Sequence, residues 1–296
     1  MGRLISDKYK EWEQECEERF NQLKANEEEL NRIFINIYGL QDELTPEVED
    51  KDVTVRKANL QREIRSLISY AVGCWFGRYS VDVKGLCYAG GTWEDEKYQT
   101  IIPVKDNVLP ICDDDYLETD LTNLIEEFVR KVYGEDTLDE NLKFIADALG
   151  TKGNSPREVI RNYLLNSFYA DHCKIYQKRP IYWLFSSGKK NGFKALIYMH
   201  RWEKTTIATI RTDYVHELQE RYQTQLSLLA EQMETAEQFN HVKLKKQSEK
   251  LAVQLEEITA YEEKVHHFAD RMMGIDLDDG VKVNYAKFAD ILEKIK

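Results

Sequence analysis

Eight basic residues, Lys178, Arg179, Lys189, Lys190, Lys194, Arg201, Lys204 and Arg211, fall within 34 positions that contain a single acid, Glu203. That segment carries +7, so the remainder of a chain with net charge -12 carries -19. A basic island on an acidic body is suited to a focused polyanion contact, because Lys and Arg that neutralise phosphates release condensed counterions. Lys189 and Lys190 suit phosphates; Arg179 and Arg201 could reach phosphates or base edges. The competing reading is a core hairpin whose lysine tip is merely solvated.

Other side chains invite chemistry less strongly. His172 and Cys173 are adjacent, but a neighbouring pair of this kind is more often structural than nucleophilic. Asp113-Asp114-Asp115 could suggest a metal site, but reads first as an acid cluster placed before the start of the Leu121–Tyr133 helix. Asp276, Asp278 and Gly280 imitate a calcium loop, yet its twelfth position is Lys287, where a bidentate glutamate is needed. Arg78 could contact phosphate, or simply face a helix C-terminus. There is no Walker lysine loop, HExxH, GxSxG or Asn-Pro-Pro-aromatic pocket. The chain reads as non-catalytic by itself, with no catalytic, cofactor-binding or metal-ligating residue assigned.

Periodicity indicates which elements carry these bases. The stretch KRPIYWLFSSGKKNGFKALIYMHRW, from Lys178 to Trp202, is two apolar runs around Asn191-Gly192, a hairpin signal because both residues tolerate positive φ. Before it, helical spacing is expected over Ser6–Leu23, again from an N-cap at Asn26 to Gly39, and from about Arg56 to Phe76. Val81 to Val104 reads as β-like, and Val108–Ile111 as a short strand. Helices are expected over Leu121–Tyr133, Thr137–Leu149 and from the Ser155-Pro156 cap onward, through Leu165 and then Tyr176.

Thr205–Ile210 is β-branched and reads as a third strand, or as the entry to the helical segment beyond it. Between Glu203 and Met273 there is neither glycine nor proline. Tyr214, Leu218, Tyr222, Leu226, Leu229 and Met233 step by three or four, as do Leu251, Leu255, Ile258, Val265, Ala269 and Met272 except where Glu262 interrupts the seam. This predicts an antiparallel, coiled-coil-like helical hairpin that breaks near Gln238–His241. A turn at Asp279-Gly280, a strand-like piece and a closing helix are expected at the end. The fold class is therefore α+β, mainly helical, around a small antiparallel sheet. Its expected parts are acidic helices (1–50), a central recognition domain (51–212), the helical hairpin (213–274) and a tail (275–296).

Composition agrees: 42% hydrophobic and 32% charged is a globular, helix-rich balance. The five cysteines are far apart and form no CxxC pair, which suits a reducing, cytoplasmic setting. No signal-peptide layout is present, and the longest apolar run is too short to span a bilayer, so no membrane partner is expected.

Four stretches, in this order, carry a resemblance: NEEELNRIFINIYGLQDEL from Asn26, LISYAVGCWFGRYS from Leu67, the hairpin Lys178–Arg201, and DLDDGVKVNY from Asp276. Together they resemble the C-terminal region of PglX-type adenine-specific DNA methyltransferases of BREX phage-defence systems. A looser similarity, through the Tyr38-Gly39-Leu40 turn, extends to specificity regions of type IIG restriction–modification enzymes. The resemblance implies a parent enzyme that uses S-adenosylmethionine to methylate N6 of a flipped adenine, in a catalytic domain this sequence lacks. It implies a target-recognition and clamp region, with double-stranded DNA, the catalytic domain and other BREX subunits as partners. The alternative is a helical protein-interaction module docking other defence subunits.

Overall fold

The computed structural model describes residues 3–235 and 237–295. Ala236, inside the expected helical hairpin, lies outside them, as do Met1, Gly2 and Lys296 at the ends of the expected parts. Local caps mark the helices that surround the sheet. Asn59 accepts the N–H of Arg62 at 3.0 Å and opens α2 (Leu60–Trp75), which comes after the long α1 (Ile5–Tyr38). After a short strand β1 (Val108–Pro110), Asp120 accepts the N–H of Thr122 at 2.8 Å and opens α3 (Leu121–Tyr133). Helix α4 is Leu138–Leu149. Ser155 caps α5 (Pro156–Asn166), with proline at a position whose N–H would be orphaned anyway. Helix α6 (Phe168–Ile175) then leads into strands β2 (Tyr182–Ser186) and β3 (Lys194–Tyr198).

The sheet is antiparallel, in the order β1-β3-β2. Strands β2 and β3 lack polar alternation because both faces are covered. On one face Tyr182 packs against Phe76 at the end of α2 and stacks on His172 of α6. On the other, Trp183 meets Trp202, Tyr285 and Phe288. The free edge of β2 is closed by the chain's last residues: Ser186 donates to Ile291 O at 3.2 Å and Glu293 to Leu184 O at 2.7 Å. That pairing removes an exposed strand edge.

Beyond the sheet come α7 (Thr206–Thr209), a π-helical stretch Ile210–Val215, α8 (His216–Thr235), α9 (Gln238–Asp270) and α10 (Gly280–Ala286). Helices α8 and α9 run antiparallel, as Gln219–Thr259 (3.3 Å) and His216–Glu262 (3.1 Å) show. Folding back buries Leu218, Tyr222 and Leu229 against Leu251, Ile258 and Val265. The protein is thus mainly helical α+β, with the helical hairpin that the apolar spacing predicts; its break comes before Gln238, so Gln238–His241, the expected break, form the first turn of α9.

Four expectations need correction. Asn26 does not cap a second helix; α1 runs through it, and the Asn26 side chain accepts from Gln22 one turn earlier at 2.8 Å. Val81–Val104 holds no strand among the described residues. The Asp82 carboxylate instead folds the segment by accepting the N–H groups of Gln99 and Thr100, both at 2.9 Å. Thr205–Ile210 is the helical entry to α8 and not a strand, since the free edge of β3 is already taken by β1. After Gly280 the chain is helical, not extended, and its strand-like pairing comes later, at Leu292.

Candidate nucleic-acid interface

The hairpin tip is held from below by the helical hairpin. The Glu257 carboxylate of α9 accepts Ser187 Oγ–H at 2.8 Å, the Lys190 N–H at 2.9 Å and the Gly192 N–H at 3.0 Å. Tyr222 of α8 donates its hydroxyl to Gly192 O at 3.1 Å. Asn191 takes φ +59°, as the turn requires. Gly192 is demanded by close approach instead: a Cβ there would lie 2.6 Å from Gln254 O, a backbone atom of α9. With the loop backbone fixed inward, the side chains of Lys189 and Lys190 are left exposed.

The other six bases separate into two sets. Lys178, Arg179 and Lys204 are exposed, but lie beyond the opposite end of the five-residue strands, which alone span about 17 Å. Lys178 sits at φ +61°, with its N–H on Cys173 O at 2.8 Å. Lys194, Arg201 and Arg211 have internal partners. Lys194 donates to Leu165 O at 2.8 Å and, with Lys189 and Lys294, lines a cavity of about 310 Å³. Arg201 donates to Lys105 O at 3.0 Å and Phe76 O at 3.3 Å, and lies 4.6 Å from the Trp93 ring; burial lowers its pKa. Arg211 pairs with Glu262 at 2.6 Å. Against the burial that would raise it, His216 and Arg211 hold the Glu262 carboxyl below its usual range.

The acidic triplet braces helices. Asp113 accepts from Gln254 at 2.9 Å and pairs with Lys250. Asp115 pairs with Arg157 at 2.7 Å and with Arg161. Among the described residues no group of three or more His, Cys, Asp or Glu is arranged to hold a metal. His172 turns to β2: its Nε2 accepts the Tyr182 N–H at 3.1 Å, and burial pushes its pKa down to about 3. Cys173 is buried, and that burial raises its thiol. Successive helical residues do not face each other, so the two form no nucleophile–base pair. Arg78 donates to Tyr198 OH at 2.9 Å and to Tyr79 OH at 3.2 Å, an aromatic clasp in place of a phosphate contact.

Glu257 and Lys294 carried no signal in the sequence. One is a carboxylate among many on an amphipathic helix, the other a lysine in the tail. Only their approach to the hairpin distinguishes them.

The molecule is therefore a helical scaffold presenting a rigid, lysine-tipped β-hairpin. No family model matches the chain. Among curated proteins it is 53% identical over 283 residues to the adenine-specific methyltransferase PglX of Lacticaseibacillus casei (strain Zhang), a match covering 94% of this chain and 24% of that protein. It is 40% identical over 305 residues to the adenine-specific methyltransferase BrxX of Escherichia coli O9:H4 (strain HS), covering 94% of this chain and 25% of that one. The resemblance to PglX thus holds over nearly the whole sequence, while the chain spans about a quarter of the length of these relatives. Among the described residues no helix is long and apolar enough to cross a membrane.

Proposed function

We propose that this chain is the DNA target-recognition and clamp region of an adenine-specific DNA methyltransferase acting in phage defence. The observation that carries the reading is the hairpin tip: Lys189 and Lys190 stand outward on a turn that Glu257 holds through two backbone N–H groups and the Ser187 hydroxyl. Two lysines on a preorganised turn can neutralise phosphates without first ordering a loop. Lys294, on the rim of the same cavity, extends that patch. Lys178, Arg179 and Lys204 are exposed beyond the far end of the strands, and on this proposal a duplex lying along the hairpin would meet bases at both ends. In this reading Lys194, Arg201 and Arg211 position the ribbon, and the phosphates are met by the exposed set.

The relatives' names imply that the parent uses S-adenosylmethionine. The residues here do not fit that cofactor: among the described residues the strands are all antiparallel, and none runs into a glycine loop and helix of the kind that seats a nucleotide. The donor and the methyl transfer to adenine belong, in this proposal, to the portion outside this chain, with the cytoplasm as the setting.

The test is duplex binding measured by fluorescence anisotropy across a salt series, for this chain and for the same chain within a full-length PglX relative. Binding that weakens linearly in log K against log salt is expected. Absence of salt-dependent binding in both proteins overturns the reading.

A further inference from the structure

Helix α1 leaves one face bare. Leu30, Ile33, Phe34, Ile37 and Tyr38 are 54, 44, 55, 68 and 70% exposed. Their spacing of three and four residues puts all five on one stripe. The patch is on the order of several hundred Å², at the upper end of what a monomeric protein leaves uncovered. The rest of α1 is occupied. Its first half is anchored by the Ile5 N–H on Asn141 Oδ1 (2.8 Å) and by Tyr9 against Phe144. Its second half is lined on another side by the returning segment 40–58, through Asn31 to Pro46 O (3.2 Å) and Lys24 to Asp50 (2.8 Å). The stripe is therefore not a core face awaiting that segment.

Charge narrows what can cover it. Around the stripe, residues 26–44 hold five acids (Glu27, Glu28, Glu29, Asp42 and Glu43) and one base, Arg32. A second copy would bring the same acidic rim against it, and a nucleic acid would add phosphates; both juxtapositions are repulsive. The complementary occupant is an apolar surface rimmed by Lys and Arg. The relatives supply a body of the right size, since about three quarters of their length lies outside the matched region. We propose that the stripe Leu30–Tyr38 is the seat on which that remaining, methyltransferase-bearing portion of the parent polypeptide docks. The proposal rests on reading this chain as one part of a longer methyltransferase, and not on the hairpin touching DNA.

The test places p-benzoylphenylalanine at position 34 of this chain, spliced into full-length Lacticaseibacillus casei PglX in place of its matching region, and irradiates the protein. The expected result is intramolecular crosslinking from α1 to residues outside the spliced region. Leu30→Ser with Ile37→Ser should lower that yield by about tenfold or more, without moving the urea midpoint of this chain measured by itself, in which both side chains are exposed. Crosslinks between two copies, crosslinks confined to residues 1–296, no crosslinks, or a yield unchanged by the two serines would each overturn the proposal. Duplex binding measured on the same preparation reads the hairpin separately, so the two ideas fail independently.

Discussion

Glu257 of α9 accepts the backbone N–H of Gly192 at 3.0 Å, across 65 residues of chain. This contact makes the hairpin tip and the helical hairpin one mechanical unit: the loop that carries Lys189 and Lys190 cannot shift without breaking a hydrogen bond to α9.

Two substitutions probe that unit. Glu257→Ala removes the acceptor for Ser187, Lys190 and Gly192 and should cost about 1–3 kcal/mol. Gly192→Ala drives a Cβ into the backbone of α9 at Gln254 and should cost a similar 1–3 kcal/mol or about that. Urea unfolding of each variant measures both, and a midpoint unchanged in either would show that the tip is not fixed as described.

The bases should separate by readout. Replacing Lys189 and Lys190 by alanine should leave stability within about 0.5 kcal/mol and flatten the log K against log salt slope by up to roughly 2. Arg201→Ala should behave the other way. It strips donors from Phe76 O and Lys105 O and uncovers Trp93, so about 1–3 kcal/mol of stability should go while the salt slope holds. Paired unfolding and anisotropy measurements on both variants decide the matter.

His172 should make stability depend on pH. Its folded pKa is depressed to about 3 from an ordinary 6.5, so the unfolded chain binds the proton first as pH falls. Stability is therefore complete above pH 6.5 and is lost on acidification toward pH 3, by about 2 kcal/mol between pH 7.5 and pH 5. His200, also lowered by burial, adds in the same direction. His172→Gln keeps an acceptor for the Tyr182 N–H but does not titrate. Its urea midpoint should be flatter across that range than that of the parent chain.

Asp115 ties the loop before α3 to helix α5 through Arg157 and Arg161. The Arg161 side chain is only 11% exposed, so Asp115→Asn strands a largely buried guanidinium. A loss of about 1–3 kcal/mol is expected, with no change in duplex binding. Thermal unfolding and anisotropy on the same variant check the two halves of that statement.

Much of the local structure was legible in the sequence, because it depends on neighbouring residues alone. The start of α5 is set by Ser155-Pro156, since a cap acts on N–H groups two or three positions away; the Asp120 cap of α3 was less visible in the sequence than the acids at 113–115. Gly39 ends α1 for the same local reason, at φ +66°. The β2–β3 hairpin and the α8–α9 fold-back were legible because an apolar period repeats over many residues and a narrow stripe must be buried.

Long-range packing decided the rest. Thr205–Ile210 has β-branched residues, yet both edges of β3 were already paired, by β1 and β2, and local preference yields to packing. Asn26 with its glutamates can cap a helix, but nothing obliges the preceding turn to stop. The eight bases looked alike in charge and position. Whether an arginine faces solvent or a carbonyl depends on groups far along the chain: Phe76 and Lys105 for Arg201, Glu262 for Arg211. Such partners have no fixed spacing, because the chain between them is free to take any path that buries its apolar faces. Glu257 is the plainest case, a surface-type residue by sequence that becomes the anchor of the hairpin only when α9 is laid beneath Gly192.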